Sequence, residues 1–425
     1  MSKNVIYQLY PILPFYASVP KSVKREGSLL GRPVTIESPP DEYDLWAMQD
    51  DIAKIEELQA DYVYLSAALN SPRKDHGFDV QDYMRIDPMV GVMTSEASIY
   101  PFSSFISDIH SIGAQVIIDL ILNHTSVMHP WFLSRREDFY YFLDKPKDDW
   151  ENLFDQGSSW KYDPATKKYY LHLFHDDQAD LAWYDAQGNL NKALVAEFRR
   201  IVQFWLNYGV DGFRLDVAQL LNKDINAESF RFGDVFYGNR GKEVINAIFD
   251  GLPCTLMLEV FDPTFGSIIN DYIQNTPVRF CTNVMVKGLF LNIREDEIRK
   301  SAKVPGFVLD LESHDSCRCL SRPGMSFEKE LELMFDSGVS NIMIYQGQEF
   351  GLKNPELSLE QMLDLDAQAA MKYARGVPFE KLRDISRANA RFLLPKGEYK
   401  RQRESDDLTP FKQMRDAIAS WKLCP

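Results

Sequence analysis

The sequence predicts an α/β fold in which eight short strands alternate with helices and close into a (β/α)8 barrel, the TIM barrel. Three observations support this prediction. Short apolar stretches recur along the 425 residues, helical periodicity separates most of them, and polar side chains follow where the stretches end. Barrels of this kind carry their chemistry at the carboxyl ends of the strands. An open doubly wound sheet is the alternative, but no G-x-G-x-x-G motif follows the first strand.

The predicted elements follow in a regular order. Short apolar runs predict strands, and apolar residues recurring every three or four positions predict helices. The predicted strands are Val5–Tyr10, Tyr62–Ser66, Gln115–Leu120, Gly209–Val217, Thr255–Val260, Arg279–Asn283, Phe307–Leu311 and Asn341–Tyr345. The predicted helices are Leu45–Leu58, Ile99–Ile112, Lys192–Asn207, Glu243–Asp250, Val284–Ala302 and Phe327–Asp336.

Two segments depart from this alternation. Residues 14–44 are rich in Pro, Ser, Gly and charge, which predicts a long loop, and we hypothesise that it covers the acceptor side of a substrate site. Residues 125–185 are dense in aromatic side chains, which predicts an inserted subdomain. The expected organisation is therefore barrel over 1–124, insertion over 125–185 and barrel again over 186–425.

Composition narrows the class of function. The net charge of -15 argues against nucleic acid and anionic membranes as partners, and the 45% hydrophobic and 26% charged fractions are those of a globular protein. Neither a signal peptide nor a membrane-length apolar segment is evident. The five cysteines lack zinc-like spacing and are expected to be reduced thiols in a cytoplasmic protein. No cofactor is implied.

The stretch around Arg214 and Asp216 is the first candidate site. Side chains two apart on a strand point the same way, so a guanidinium and a carboxylate share one face there. For a single R-x-D pair, a structural ion pair is the more frequent explanation. A functional role gains support from the other polar residues at predicted strand ends. Those candidates are Asp79, His124, Glu259, His314 and Asp315.

This set of carboxylates and imidazoles points to acid–base chemistry on a polar, uncharged substrate. Retaining glycoside hydrolysis needs one carboxylate as nucleophile and one carboxylic acid about 5–5.5 Å away to protonate the leaving oxygen. Arg214 is expected to hold the pKa of Asp216 down. Glu259 lies between Leu258 and Val260, and an apolar surrounding favours a protonated acid.

Four short motifs carry a resemblance to a known family. They are Asp119-x-x-x-Asn123-His124, Gly212-Phe213-Arg214-x-Asp216, Glu259 at a strand end, and His314-Asp315. Together they resemble glycoside hydrolase family 13, the α-amylase family. The resemblance implies that Asp216 is the nucleophile, Glu259 the general acid/base and Asp315 the third carboxylate that braces the sugar. It also implies that His124, Arg214 and His314 complete the subsite for the cleaved residue.

Further motifs resemble the α-glucosidase and oligo-1,6-glucosidase branch of that family. Phe78 and Asp79 match its G-Y-D loop, where the ring stacks on the sugar and the aspartate grips it. Val217 matches the residue that the branch tends to use with α-1,6 linkages. Arg391 matches an arginine that pairs with the loop aspartate, here Asp79, and closes the pocket beyond the non-reducing end. A closed pocket implies exo action.

The branch pattern is not complete. Its acidic metal-binding loop has no match in 14–40, so no metal is expected. Its C-terminal β-sandwich has no match either, so we expect that domain to be absent and an exposed helix face to favour a homo-oligomer.

The predicted function is a retaining exo-α-glucosidase acting on short oligosaccharides or small α-glucosides. The alternatives are a glucosyl transferase or isomerase that uses the same covalent intermediate, and a non-catalytic relative of the amino-acid transporter heavy-chain type. The second is disfavoured because the carboxylates are present and no membrane span is evident.

Overall fold

The fold is described from a computed structural model. It describes residues 2–10, 51–87, 90, 102–153, 157–286, 293–356, 378–391 and 397–424, together with the backbone of 23–29 and 32–38. Within these residues, no helix combines the length and the apolar character that crossing a membrane requires.

Eight parallel strands form a closed barrel. Each strand pairs with the next one along the chain, and the first pairs with both the second and the eighth, which closes the ring. The predicted TIM barrel is therefore confirmed. The barrel strands, numbered here from first to eighth, are Asn4–Leu9, Tyr62–Leu65, Gln115–Leu120, Gly212–Leu215, Thr255–Val260, Phe280–Asn283, Phe307–Asp310 and Asn341–Tyr345.

Within the described residues, helices surround the barrel and also form the C-terminal part of the chain. The amphipathic helix Lys192–Tyr208 illustrates why they begin and end where they do: the Asn191 side chain accepts from the Leu194 amide, and Gly209 ends the helix at φ 106°. The α-helices are Asp51–Glu57, Phe102–Ser111, Pro130–Leu133, Lys192–Tyr208, Arg240–Phe249, Ser267–Asn275, Glu295–Ser301, Phe327–Asp336, Phe379–Ile385, Glu398–Glu404 and Pro410–Leu423.

The core has two layers separated by the barrel wall. Alternate strand residues point inward and fill the barrel, among them Tyr64, Ile117 and Met257, and the others pack outward against the helices. Gly212 is required by close packing, because a Cβ there would lie 2.3 Å from the carbonyl oxygen of Thr255 on the neighbouring strand. The fourth and fifth strands can therefore approach each other at their amino ends.

Small sheets lie outside the barrel. A pair of short strands, Leu69–Asn70 and Asp82–Ile86, flanks the loop after the second barrel strand. After the third barrel strand, His124–Ser126 pairs with Gln178–Asp180. A three-stranded sheet of Phe142–Leu143, Lys168–Leu171 and Trp160–Asp163 follows in the same region. The three-part domain division, with a separate inserted domain over 125–185, stays a prediction.

The structure corrects the prediction in two places and describes one predicted helix only in part. Part of the predicted 14–44 loop is an antiparallel hairpin of Val23–Leu29 and Arg32–Ser38, while 11–22 and 39–50 lie outside the described residues. The helix predicted from Leu45 is described only over Asp51–Glu57. The helix predicted over 284–302 is described only over Glu295–Ser301, with 287–292 outside the described part.

Candidate active site

One guanidinium group joins three carboxylates at the carboxyl ends of neighbouring barrel strands. The Nη1 atom of Arg214 lies 3.1 Å from Oδ1 of Asp119 and also contacts Oδ1 of Asp216. Its Nη2 atom lies 2.9 Å from Oε2 of Glu259. Because the two terminal nitrogens of one guanidinium contact Asp216 and Glu259, both carboxyls lie on the same rim within a few ångströms. The residues predicted as nucleophile and acid are thus brought together.

The expectation that Arg214 holds the pKa of Asp216 down is wrong for the net shift. Burial raises the pKa of Asp216 well above its ordinary value, and Arg214 opposes this shift without outweighing it. Glu259 and Asp119 add negative charge nearby and raise it further. The physical reason is chiefly that the carboxyl is buried away from water.

Asp119 belongs to the scaffold beneath this cluster. Its two carboxylate oxygens accept hydrogen bonds from the Tyr64 hydroxyl at 2.8 and 2.9 Å, and Oδ2 also accepts one from the Ala67 amide at 2.7 Å. Asp119 also lies directly opposite Arg214 in the register of the third and fourth strands. A carboxylate held in this way orients the guanidinium, which in turn orients the other two carboxyls.

His314 forms the second part of the site. Its ring stacks on Phe78 at a centroid distance of 4.9 Å and an interplanar angle of 6°, and it also stacks on Tyr10 at 5.5 Å. The Gln8 amide nitrogen lies 2.8 Å from Nδ1, so Nδ1 accepts and the proton is on Nε2. Nε2 then faces Asp315 Oδ2 at 2.8 Å. Burial lowers the pKa of His314, which agrees with this neutral tautomer.

Asp315 is the carboxylate held most firmly in its ionised form. Burial alone would raise its pKa, but His314, Arg387 and Arg391 outweigh burial and hold the pKa of Asp315 well below its usual range. Oδ1 accepts from Arg387 at 3.2 Å and from Arg391 at 3.0 Å. With an exposed side-chain fraction of 26%, Asp315 can still meet a ligand.

His124 lies on the other side of Phe78. Its Nε2 lies 3.1 Å from the Phe78 carbonyl oxygen, and its Nδ1 lies 3.2 Å from the Asn123 amide nitrogen. The Gln178 amide nitrogen is 3.0 Å from the same Nε2. Burial lowers the pKa of His124, so the ring is neutral and donates its Nε2 proton to the carbonyl. His124 therefore fixes the loop that carries Phe78.

Asp79 is fully buried beneath that loop. Its carboxylate accepts the Ser71 hydroxyl at 2.7 Å and the amides of Lys74 and Asp75 at 3.0 and 3.1 Å. Burial raises the pKa of Asp79 to about 7, although these hydrogen bonds lower it in part. These hydrogen bonds hold the loop in place.

The predicted Asp79–Arg391 pair is wrong. In the structure, Arg391 donates to Asp315, to the His314 carbonyl oxygen at 2.9 Å and to His76 Nδ1 at 2.7 Å. The carboxylate of Asp79 points toward Ser71 and the backbone of its own loop. The Arg391 guanidinium therefore contacts the residues that follow the seventh barrel strand instead. Arg391 nevertheless contributes to the site.

Val217, directly after Asp216, has an unusual backbone. Its φ of 34° and ψ of 49° lie in the left-handed region, which a β-branched residue rarely adopts. The side chain is buried and belongs to a second apolar cluster that includes Leu220 and Phe230. This cluster holds Val217 in the strained conformation beside the Asp216 carboxylate.

Several contact residues were missed in the sequence. Asp75 and Gln8 carry no motif that would mark them. Gln178 and Arg387 lie inside motifs that resemble the branch, and that position was a signal that could have identified them. The missed residues are Gln8, Tyr10, Asp75, Gln178 and Arg387. The sequence leaves His76 open between a contact with the sugar and a role in shaping the loop, and in the structure it contacts Arg391.

One described group could hold a metal ion. His175, Asp176 and Asp177 each offer a ligand atom, and these atoms lie within 4.8 Å of one another. However, Asp176 lies 2.7 Å from the Lys161 ammonium and Asp177 lies 2.7 Å from that of Lys74. These lysines already neutralise the carboxylates, so the group is best explained by surface ion pairs. The predicted absence of a metal over 14–40 falls largely outside the described residues.

Comparison with known proteins identifies the family. A model of the α-amylase catalytic domain matches residues 37–246. The chain belongs to the α-amylase family. An oligo-1,6-glucosidase from Heyndrickxia coagulans is 26% identical over 421 residues, covering 87% of this chain and 70% of the relative. A trehalose-6-phosphate hydrolase from Bacillus subtilis is 33% identical over 411 residues, covering 84% of this chain and 66% of the relative.

Solved structures agree with the fold. A trehalulose synthase superposes with a TM-score of 0.80 at 20% sequence identity, covering 99% of this chain and 84% of that one. An isomaltulose synthase from Klebsiella gives the same TM-score and identity. At this identity the likeness concerns the fold alone. The predicted family, its α-glucosidase branch and the class of glycoside hydrolase are confirmed by the sequence relatives.

Proposed function

We propose that the α-amylase-family chain is a retaining, exo-acting α-glucosidase for short α-glucosides, with Asp216 as nucleophile and Glu259 as acid/base. The observation that supports this most directly is the bridge between both carboxyls through Arg214. A shared guanidinium keeps the two carboxyls close together, and a retaining mechanism needs a separation of about 5–5.5 Å. Oligo-1,6-glucosidases and trehalose-6-phosphate hydrolases among the relatives favour a glucosyl substrate.

The proposed reaction has two steps. Because its surroundings raise the pKa of Asp216, the reactive form is the one in which Asp216 has released its proton and Glu259 holds one. Asp216 then attacks the anomeric carbon while Glu259 donates its proton to the glycosidic oxygen, which leaves with the bonding electrons. Glu259, now ionised, takes a proton from water, and the resulting hydroxide displaces Asp216 from the sugar. Asp315 and the neutral His314 would hydrogen-bond the sugar hydroxyls, contacts that strengthen as the ring flattens. The reduced cysteines support a cytoplasmic setting for this enzyme.

The experiment that tests this function compares the wild type with Asp216→Asn on p-nitrophenyl α-glucoside, isomaltose, maltose, sucrose and trehalose. We expect the substitution to lower kcat by at least about 10⁴-fold, since no covalent intermediate can form. The first product seen by NMR should be α-glucose. Asp224→Asn is the control, because Asp224 pairs with Arg240 near the surface.

Three results would count against the proposal. Undiminished turnover by Asp216→Asn would remove the assigned nucleophile. A β-anomer as first product would exclude retention. New glucosidic linkages in place of free glucose would assign the same intermediate to a glucosyl transferase or isomerase.

A further inference from the structure

The hydrogen-bonded pairing of the fourth and fifth barrel strands ends just before Asp216 and Glu259. The last residues that pair across these two strands are Leu215 and Leu258. Asp216 and Glu259 are the next residues along each strand, so both lie beyond the last pair that the ladder fixes. The chain then leaves the fourth strand through the left-handed turn at Val217.

The side chain of Gln219 links the two strands again beyond this point. Gln219 follows Asp216 in the same turn, and its side chain is buried. Its Oε1 accepts a hydrogen bond from the Phe261 amide at 2.6 Å, and its Nε2 donates to the Phe261 carbonyl oxygen at 3.1 Å. Nε2 also lies 3.3 Å from the Phe236 carbonyl oxygen. One amide group thus pairs with both main-chain groups of Phe261, as a backbone partner in an antiparallel sheet would.

The position of the Glu259 carboxyl depends on the backbone that carries it. Within the part of the chain that the structure describes, Arg214 is the one hydrogen-bond or ion-pair partner of this carboxyl, at 2.9 Å. Phe261 follows Glu259 closely in the chain, and its ring packs edge-on against Phe232 at a centroid distance of 4.6 Å. A displacement of the Phe261 backbone would therefore also displace Glu259.

We propose that Gln219 is a positioning residue that holds Glu259 at its working distance from Asp216. The proposal rests on the proposed α-glucosidase function. A retaining mechanism needs the two carboxyls about 5–5.5 Å apart, and a displacement of about 1 Å can lower the rate by about 10²-fold. Strand register limits this distance as far as the ladder extends, and the Gln219–Phe261 link continues the constraint past the ladder. Because Val217 lies between Asp216 and Gln219, the same link also holds the strained turn in place.

The test compares two substrates that differ in their need for the acid. The glycosidic oxygen of isomaltose must be protonated before it can leave, whereas dinitrophenolate leaves without a proton. Gln219→Met keeps the length of the side chain but lacks the amide, so kcat/KM for isomaltose should fall by about 10–10²-fold. That for a dinitrophenyl α-glucoside should change little. The ratio of the two kcat/KM values should therefore rise.

Gln219→Asn guards against a folding defect in Gln219→Met. Asparagine keeps the amide on a side chain that is one methylene shorter, so it cannot reach both main-chain groups of Phe261 in the same way. The ratio should rise in the same direction as in Gln219→Met, but by less.

Gln402→Met is the matched control. Gln402 is also buried and also joins two segments, since Nε2 donates to the Phe350 carbonyl oxygen at 3.0 Å and Oε1 accepts from the Phe411 amide at 2.9 Å. These partners lie outside the candidate site. The loss of this amide should lower the melting temperature about as much as the loss of the Gln219 amide does. The substrate ratio should equal that of the wild type, and a ratio that rises here as well would overturn the proposal.

Two other results would overturn the role of Gln219 alone. One is an unchanged ratio in both Gln219→Met and Gln219→Asn while the wild type hydrolyses both substrates. The other is an equal loss on the two substrates in Gln219→Met, because damage to the fold or to the nucleophile lowers both rates. A wild type that hydrolyses neither substrate would instead refute the proposed function, and the role of Gln219 with it.

Discussion

The two sides of the site are built in different ways. On the reaction side, Arg214, Asp216 and Glu259 lie in the fourth and fifth barrel strands or one residue beyond, and the strand register sets their spacing. The other side, around Asp315, is called the donor side because the proposed reaction would place the sugar there. On it, Asp75 and Arg387 lie in a loop and a C-terminal segment, and side-chain bonds set their spacing. Strand register is specified by the whole sheet, whereas a loop junction depends on each of its few bonds.

This difference predicts which property a substitution on each side should change. A change on the reaction side should affect chemistry and spare the fold, because the barrel keeps its register without that side chain. A change on the donor side should affect geometry and stability, because buried polar contacts hold the loops. A buried polar group that loses its partner destabilises the fold. The predictions below test this contrast.

After Asp216→Asn, the largest expected effect is that of Glu259→Gln on the reaction side. Glutamine keeps the shape but cannot donate the proton, so kcat for maltose or isomaltose should fall by about 10²–10⁴-fold. A dinitrophenyl α-glucoside needs no such proton and should still release a burst of dinitrophenol. Melting temperature should change little. Equal losses on both substrates would show that Glu259 is not the acid.

Glu243→Gln provides the control. Glu243 accepts the Tyr184 hydroxyl on a barrel helix, away from the site. Neither substrate should be affected by this variant.

The same contrast explains how much could be predicted from sequence. The eight-strand barrel and the cluster of Arg214, Asp216 and Glu259 were predictable because apolar runs mark strands and a strand end fixes where the next polar residues point. Asp315 and His314 were found for the same reason, since they follow the seventh strand.

The donor side was not predictable in the same way. Asp75 carries no pattern, and its partners Gln178 and Arg387 come from segments about 100 and 310 residues away. The motif resemblance placed Arg391 at the site, but it assigned the wrong partner, because the loop turned Asp79 inward onto Ser71. The raised pKa of Asp216 depends chiefly on the burial of its carboxyl, which is a property of the folded cluster.

An intermediate effect is expected from Lys223→Met in the loops beside His124. The Lys223 ammonium is buried 3.0 Å from Asp180 and 2.6 Å from the Asn123 oxygen. Removing it leaves a buried carboxylate without its cation, so the free energy of unfolding should fall by about 3–5 kcal/mol in urea denaturation. A loss below about 1 kcal/mol would show that the loops do not depend on this bond.

Two further variants sharpen that measurement. Lys161→Met breaks an exposed pair with Asp176 in the same region and should cost at most about 1 kcal/mol. The double variant Lys223→Met/Asp180→Asn removes both charges and should recover part of the lost stability.

The smallest effect concerns Asp79, the buried carboxyl that anchors the donor-side loop. Because burial raises its folded pKa to about 7, folding retains a proton that the unfolded chain releases near pH 4. Its contribution to stability is thus fully present below about pH 4 and is lost as the pH rises through 7. The asparagine of Asp79→Asn cannot ionise. The free energy of unfolding of this variant should therefore rise relative to that of the wild type by about 1–4 kcal/mol between pH 5 and 8.

Ser71→Ala tests the direction of the Asp79 shift. The Ser71 hydroxyl favours the ionised carboxylate and lowers its pKa, so removing it should raise the folded pKa further. The loss of stability should then move to higher pH than in the wild type, as urea denaturation at several pH values would show. A stability difference between Asp79→Asn and the wild type that is constant with pH would mean that Asp79 is ionised throughout. The loop would then be anchored by a charged carboxylate.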